Sequence, residues 1–591
     1  MIDTVQNLVR SLYSCEMRVV PSRGKDHIRG KRGGHVASTS VHLNPAYLAA
    51  FLGCLTLCLI SMVPSANATI RNVQTYGAKG DGTTNDTAAI QTAISALQPG
   101  DTLLFPCTAN STYLILAQLT INNTSDGAPL SNVTVDGSSC AIIRDTASGI
   151  GSIIMVIGGS GNGNPNYGPA VPFYAPANEL AASFTTASLL GVTVGEYVRL
   201  QQGGKDYSTD TAPGHDMGCD LVGCRGEVVK VASVSGNTIT VTTAVHDTYD
   251  PAVNGAMAQK ILNPVTGVTV QNITFDGNGT NTYGLELAGV AESTVSGVTA
   301  RNVRGAAILS HGNFNVGWSN ITVTGAGSEQ CGSAVWFDSQ GNLWVEGMSI
   351  SNENQGAPGT GCLGGGAFGF ELVGSANGTI SNLTVDAALA TGRPFKTAAA
   401  RWNTFNSLTV KNSASPYDNG ISLEYYSSHN TFCYCVVTNN GSGINNGNAG
   451  IITFGNFNQY NAFNHCTVSG NGNLQFYISG FDALGLAQDS HNTVSGGTFT
   501  GSSSSVVVMG IQGDGTFISG ATIGGPGSQG IYLDASPRAA NNACVNNNTF
   551  AANSGLASAI SANGTNDLGS GNNYNNLSSN LTVGVCRPPL P

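Results

Sequence analysis

From about residue 266 onward, short runs of alternating apolar and polar residues are separated by Gly or Asn, and the runs recur. The clearest copies are NTFNSLTV from Asn403, NTFCYCVV from Asn430, NAFNHCTV from Asn461 and NTVSGGTF from Asn492, with starts 27, 31 and 31 residues apart. Looser copies surround Asn272, Gly297, Asn320 and Asn382. A period of two within each run means strand and not helix. Recurrence at a fixed spacing of about 20–50 residues means a solenoid. One coil per repeat, with Gly and Asn at the corners, predicts a parallel β-helix. Asn403, Asn430, Asn461 and Asn492 should then stack as a hydrogen-bonded ladder at one corner. Cys435 and Cys466 each follow a ladder asparagine by five residues, so they should point inward on neighbouring rungs. A rung spacing of about 4.8 Å lies inside the Cα range for a disulfide.

The rhythm breaks between Gly158 and about Pro264. There GEYVRLQQ reads as a strand, and EVVKVASVSGNTITVTTAV reads as two strands joined at Ser235-Gly236-Asn237. Residues 159–265 are therefore expected to form a small β insertion on the solenoid's side. Upstream, Gly77 to Gly82 reads as a turn, and Asn85 or Asp86 as the cap of a helix with apolar face Ala89, Ile90, Ala93, Ile94 and Leu97. Terminal repeats need a cap. Residues 69–158 thus read as cap and first rungs, 266–540 as the rungs proper and 541–591 as the C-terminal end.

Ahead of these lies an uncharged run, AYLAAFLGCLTLCLISMV from Ala46, preceded by Arg23, Lys25, Arg29, Lys31 and Arg32 and followed by Ser65-Ala66-Asn67-Ala68. Basic region, apolar core and A-x-A site describe a secretory leader over residues 1–68. The same run is long enough to span a bilayer if uncleaved. Cleavage leaves 16 basic against 31 acidic residues, a net charge of −15, and eleven of the 14 cysteines, which suits an oxidising compartment. Besides Cys435 with Cys466, the sequence-near pairs are Cys107 with Cys140, Cys219 with Cys224, Cys331 with Cys362 and Cys544 with Cys586. An acidic balance without basic runs in the body excludes a nucleic-acid partner. The 78 glycines and 10% charged residues exclude a helical bundle.

The string VQTYGAKGDGTTNDTAAIQTAISAL from Val73, followed by PGDTLLFP from Pro99, resembles the start of the pectate lyase-like superfamily. That resemblance implies a right-handed, single-stranded parallel β-helix, an all-β fold shared by polygalacturonase-like hydrolases, polysaccharide lyases, epimerases and tailspikes. It leaves the reaction open, because one fold hosts several chemistries. The polygalacturonase strings Asn-Thr-Asp, Asp-Asp and Gly-His-Gly are absent, as is the Asp-Pro-His-Glu of alginate epimerases.

A second strand set aligns by its own alternation: GLELAG, AAILSHG, AVWFDSQ, GFELVG, PFKTAA and GISLEYY. With Leu285, Leu287, Phe370, Leu372, Phe395, Ile421 and Leu423 inward, the outward stripe carries Glu286, Ser310 with His311, Trp336 with Asp338, Glu371, Lys396, and Glu424 with Tyr425 and Tyr426. In a chain with so few charges, this reads as a sugar-binding groove, the alternative being a solvated strand face. Asp338 and Glu371 lie one rung and two positions apart, roughly 8 Å between backbones. That separation suits the acid and base of an inverting glycosidase, about 6.5–9.5 Å apart. Lys396 beside Glu371 favours Glu371 as base and Asp338 as acid, or serves as the base of a lyase. Glu286, His311, Trp336, Glu424, Tyr425 and Tyr426 read as substrate contacts, and Arg393 and Arg401 as carboxylate binders.

His215 with Cys219 and Cys224 resembles a partial zinc site, but a secreted chain favours a local disulfide there. His429, His465 and His491 read as corner residues. No cofactor and no metal site are expected, apart from Ca2+ should the enzyme be a lyase. The expected function is a secreted, extracellular or periplasmic, polysaccharide-cleaving enzyme without stable membrane association. Hydrolysis is placed ahead of β-elimination because acids outnumber bases on the stripe. A non-catalytic carbohydrate-binding or adhesin β-helix is the reading from another class.

Overall fold

The structure, a computed structural model, describes residues 68–588 apart from 109–110, 125–126, 146–152, 160–163, 204–224, 280–282, 328–332, 352–367, 388–393, 414–418, 442–448, 455–456, 479–488, 504, 535–539 and 552–554. The leader up to residue 67, His215, Cys219, Cys224, Cys331, Cys362 and Arg393 lie outside the described residues.

Strand accounts for 54% of the described residues and helix for 3%, in the long parallel sheets of a right-handed β-helix. Among the described residues, one parallel stack has fourteen strands and another 26. The period-two alternation produces this directly, because alternate side chains point to opposite faces. Leu285, Ile308, Val335, Phe370, Phe395, Ile421 and Ile451 occupy one register column, all pointing inward. Inward phenylalanines stack from rung to rung, Phe405 on Phe432 at 4.5 Å and Phe432 on Phe463 at 5.1 Å between centroids. Each such ring contributes roughly 1.5–3 kcal/mol through burial.

The expected asparagine ladder is present. The side chain of Asn403 donates to Asn430 Oδ1, Asn430 to Asn461 and Asn461 to Asn492, each at 3.1 Å. Cys435 and Cys466 are bonded across neighbouring rungs with 4.5 Å between Cα atoms, and Cys107–Cys140 and Cys544–Cys586 are bonded as well. The rungs do not stop at residue 540. Cys544–Asn546 pairs in parallel with Leu568–Ser570, which pairs with Thr582–Val583.

At the other end, a helix over Thr87–Ser95 buries Ile90, Ala93 and Ile94. Asp86 sits at its N-cap without a side-chain cap bond. Its carboxylate instead accepts from the backbone of Lys79 and Gly80, and Asn85 accepts from Thr87 N at 3.1 Å. The 77–82 segment is a turn only in part, since Asp81–Asn85 pairs with Thr112–Ile115.

Between Val171 and Lys260 the chain builds a six-stranded sheet. Tyr197–Gln202 pairs antiparallel with both Arg225–Ser235 and Met257–Lys260, and Arg225–Ser235 turns back into Thr238–Val241. Phe173, Phe184, Val198, Leu200, Val229 and Ile239 give it a core of its own. It docks on the solenoid through Tyr197 against Phe314, centroids 5.5 Å apart, and Lys230 with Glu292 at 2.8 Å. Two arginines also meet one carboxylate there: Arg225 Nη2 and Arg401 Nη1 lie 2.7 and 2.8 Å from Asp247 Oδ1. The approach is close enough to dictate glycine at two solenoid positions. A Cβ at Gly341 would overlap the Val228 carbonyl, and one at Gly312 the Tyr167 hydroxyl.

Candidate functional site

The outward face of the fourteen-stranded sheet carries two register columns. Glu286, Leu309, Trp336, Glu371, Lys396 and Ser422 form the first. Ala288, His311, Asp338, Val373, Ala398 and Glu424 form the second. Asp338 and Glu371 therefore stand one rung and two positions apart. Ser310 does not belong to the stripe, being inward and fully buried.

These columns divide into two groups of different character. In the first, Lys396 is 1% exposed, with its ammonium 3.2 Å from Glu371 Oε1 and 3.6 Å from Glu424 Oε2. Ser333 donates to Glu371, and Ser422 donates to Glu424 at 2.8 Å. Lys396 is thus a structural cation clamped by two carboxylates, not the base of a lyase. Glu424 is wholly buried and makes no substrate contact. Two further candidates are committed to docking the insertion. Arg401 holds Asp247 through Nη1 with its side chain only 12% exposed, and Tyr426 is buried under the Arg225 guanidinium and stacked on Phe457. Tyr425 packs half-buried beside them.

The second group lies where the insertion overhangs the solenoid. His311 Nδ1 is 3.5 Å from Asp338 Oδ2, and Trp336 meets the imidazole edge-on with centroids 5.3 Å apart. From the insertion come Tyr167 and Arg199, the guanidinium 4.9 Å from the phenol ring centroid. Burial pushes Asp338 upward, but the hydrogen bond and charge of His311, the charge of Arg199 and the Ser339 hydroxyl outweigh it and hold the carboxyl below its ordinary value. Asp338 is therefore an ionised orienting group and not a proton-holding acid. Burial pushes the Tyr167 phenol up to about 12 against the opposing charge of Arg199, so it keeps its proton at neutral pH. Burial pushes Glu286 up to about 7, His311 partly opposing, and its Oε2 has no hydrogen-bond partner. At 1% exposure Glu286 lies beneath the surface and does not touch substrate.

Arg199 and Tyr167 escaped the sequence reading. A lone arginine amid Tyr-Val-Arg-Leu was their only local trace, and its neighbour Asp338 lies far along the chain. Among the described residues, no three His, Cys, Asp or Glu side chains come together as a metal site. No helix there is long and apolar enough to cross a membrane.

The family described as rhamnogalacturonase A/epimerase, pectate lyase-like, matches residues 70–180. The tailspike protein gp49 from Pseudomonas phage LKA1 superposes with a TM-score of 0.54 at 14% identity, over 87% of this chain and 82% of that one. The mannuronan C-5 epimerase AlgE4 A-module of Azotobacter vinelandii gives a TM-score of 0.41 at 12% identity, over 84% and 98%. No curated protein matches the sequence. Residues 70–180 thus match a pectate lyase-like family, as the N-terminal residues suggested, and the chain as a whole shares the parallel β-helix fold of the gp49 tailspike.

Proposed function

We propose that this chain is a secreted enzyme that cleaves a uronate-containing polysaccharide by β-elimination at the His311 cluster. The observation that carries the reading is His311 beside Asp338 and Trp336, with Arg199 and Tyr167 of the insertion gathered around the same Asp338. With Nδ1 turned to Asp338, His311 presents Nε2 as the basic atom. Arg199 supplies the planar fork that pairs with a uronate carboxylate and makes the adjacent C5–H more acidic. His311 removes that proton, the electrons form the C4=C5 double bond, the C4–O bond breaks, and Tyr167 protonates the departing oxygen. Trp336 offers an apolar surface to a neighbouring sugar ring.

Hydrolysis, favoured by the acid-rich stripe, would need a protonated carboxyl open to substrate, and none of the three carboxylates around the cluster supplies one. Asp338 is held ionised, Glu371 is paired with Lys396, and Glu286, raised to about 7, is buried. The matched family, named for a rhamnogalacturonase and an epimerase, supports action on a sugar polymer. The disulfides support an oxidising compartment.

Incubation with a panel of plant and microbial polysaccharides tests the reading, following unsaturated product by ultraviolet absorbance alongside reducing ends. Both should rise together, and His311→Ala should lose on the order of 10²–10⁴ in rate. Reducing ends without absorbance mean a hydrolase, and silence on both means a binding protein.

A further inference from the structure

Where the start of the strand Tyr197–Gln202 and the end of Met257–Lys260 meet the first rungs lies an open cavity of about 680 Å³. Glu196, Tyr197, Lys260 and Leu262 line it from the insertion, and Asn132 and Glu292 from the solenoid. None of His311, Asp338, Trp336, Arg199 or Tyr167 borders it. We infer that this cavity is a second saccharide-binding site, selective for neutral sugars and separate from the His311 cluster.

Its volume falls in the range of about 300–1,000 Å³ typical of small-molecule pockets, enough for one or two sugar rings. Its charges come already paired: Lys260 Nζ is 2.8 Å from Glu196 Oε1, and Lys230 Nζ is 2.8 Å from Glu292 Oε1. All four side chains are between 24% and 34% exposed; Glu196, Lys260 and Glu292 line the wall, and Lys230, outside the lining, neutralises Glu292. A carboxylate accepts about four hydrogen bonds, so each paired glutamate still offers lone pairs to vicinal hydroxyls. With two cations matched to two anions, the wall has no surplus charge to attract a uronate. Leu262, 39% exposed, and Pro264 give the apolar patch on which the C–H face of a sugar ring packs.

The backbone is also unusual at this place. The corresponding corner of the next rungs is held by Asn315, Asn342 and Asn377, an amide residue that tolerates a left-handed φ. Glu292 occupies that corner at φ 51, a conformation disfavoured for Glu, and is kept there by Lys230, Tyr197 and Asn315.

The test titrates the His311→Ala protein with xylotetraose, cellotetraose and galactotetraose by calorimetry, with tetragalacturonate as the acidic comparator. Because turnover is not read, the outcome does not depend on the proposed elimination. At least one neutral tetraose should bind at one site per chain, more tightly than tetragalacturonate. Leu262→Asp and Glu196→Ala, both surface changes, should each weaken it by about tenfold or more (about 1.4 kcal/mol per tenfold) with an unchanged melting temperature. Absence of binding by all three neutral probes, or binding untouched in both variants, overturns the site. Binding abolished instead by Arg199→Ala would also overturn it, because the sugar would then lie at the His311 cluster.

Discussion

Glu286 shows how the fold governs a single proton. The strand Tyr283–Ala288 sets it outward, yet overlying chain leaves it 1% exposed with one oxygen unpartnered. Desolvation penalises the charged form, so the folded-state value rises from the usual 4.5 to about 7. An acid whose folded value is raised is protonated more in the folded than in the unfolded chain, so stability falls as pH rises between those values. Its contribution is complete below about pH 4.5 and is lost as the pH climbs through about 7. The difference amounts to about 3 kcal/mol. Glu286→Gln removes the titration, so denaturant midpoints of wild type and variant should diverge from pH 5 to pH 8 with wild type losing ground. Parallel curves over that interval would show that Glu286 is not desolvated. Residue-scale chemistry was only partly legible in the sequence. Alternation placed His311, Asp338, Glu371 and Lys396 on one face, but solvent access was invisible, and access separates His311 with Asp338 from the clamped Lys396.

At the scale of the element, the rung is the unit written most plainly into the chain. The 31-residue spacing of Asn430, Asn461 and Asn492 equals one full turn of the coil, so residues at equal offsets stack. This is why both the ladder and the Cys435–Cys466 bond could be read before any coordinates. Asn461 shows what the ladder is worth. Its Oδ1 accepts from the backbone and side chain of Asn430, and its amide donates to Asn492 Oδ1 and to the Ser427 carbonyl. All of these groups are buried, so Asn461→Ala leaves donors and an acceptor unpaired where water cannot reach. An unsatisfied buried group costs roughly 1–3 kcal/mol, and several are created at once. Chemical denaturation should show a loss of about 3 kcal/mol or more, whereas Asn542→Ala, at an exposed corner whose left-handed φ of 58 adds its own cost for Ala, should lose only about 1 kcal/mol. Equal losses would mean that the ladder adds nothing beyond ordinary polar contacts. Corner aromatics follow the same stacking rule. Trp402, His429, Tyr460 and His491 lie face to face at 4.4, 4.9 and 5.0 Å, which accounts for these two histidines as structural.

At the scale of the whole molecule, the candidate site exists only because the insertion lies against the solenoid. Alternation identifies strands within the insertion but says nothing of where they dock, since each docking contact joins residues distant in sequence. Arg401 illustrates the consequence: from the sequence it was a free carboxylate binder, and in the fold its carboxylate is Asp247. The two glycines that admit the insertion are equally silent in sequence, among 78 in the chain. Gly341 gives the sharpest test of this dependence. A methyl group there would overlap the Val228 carbonyl, and Val228 pairs with Arg199 across the sheet. The strand carrying Arg199 must then move away from His311 and Asp338, although no cluster residue is altered. Misplacement of a catalytic group by about 1 Å costs on the order of a hundredfold in rate. Gly341→Ala should therefore lower turnover of a uronate polymer by about that factor. The asparagine ladder and the solenoid's denaturation midpoint should stay near wild type, while proteolysis within residues 159–265 quickens. Wild-type turnover in a variant whose insertion has become protease-sensitive would remove Arg199 and Tyr167 from the site and leave His311, Asp338 and Trp336 to act alone.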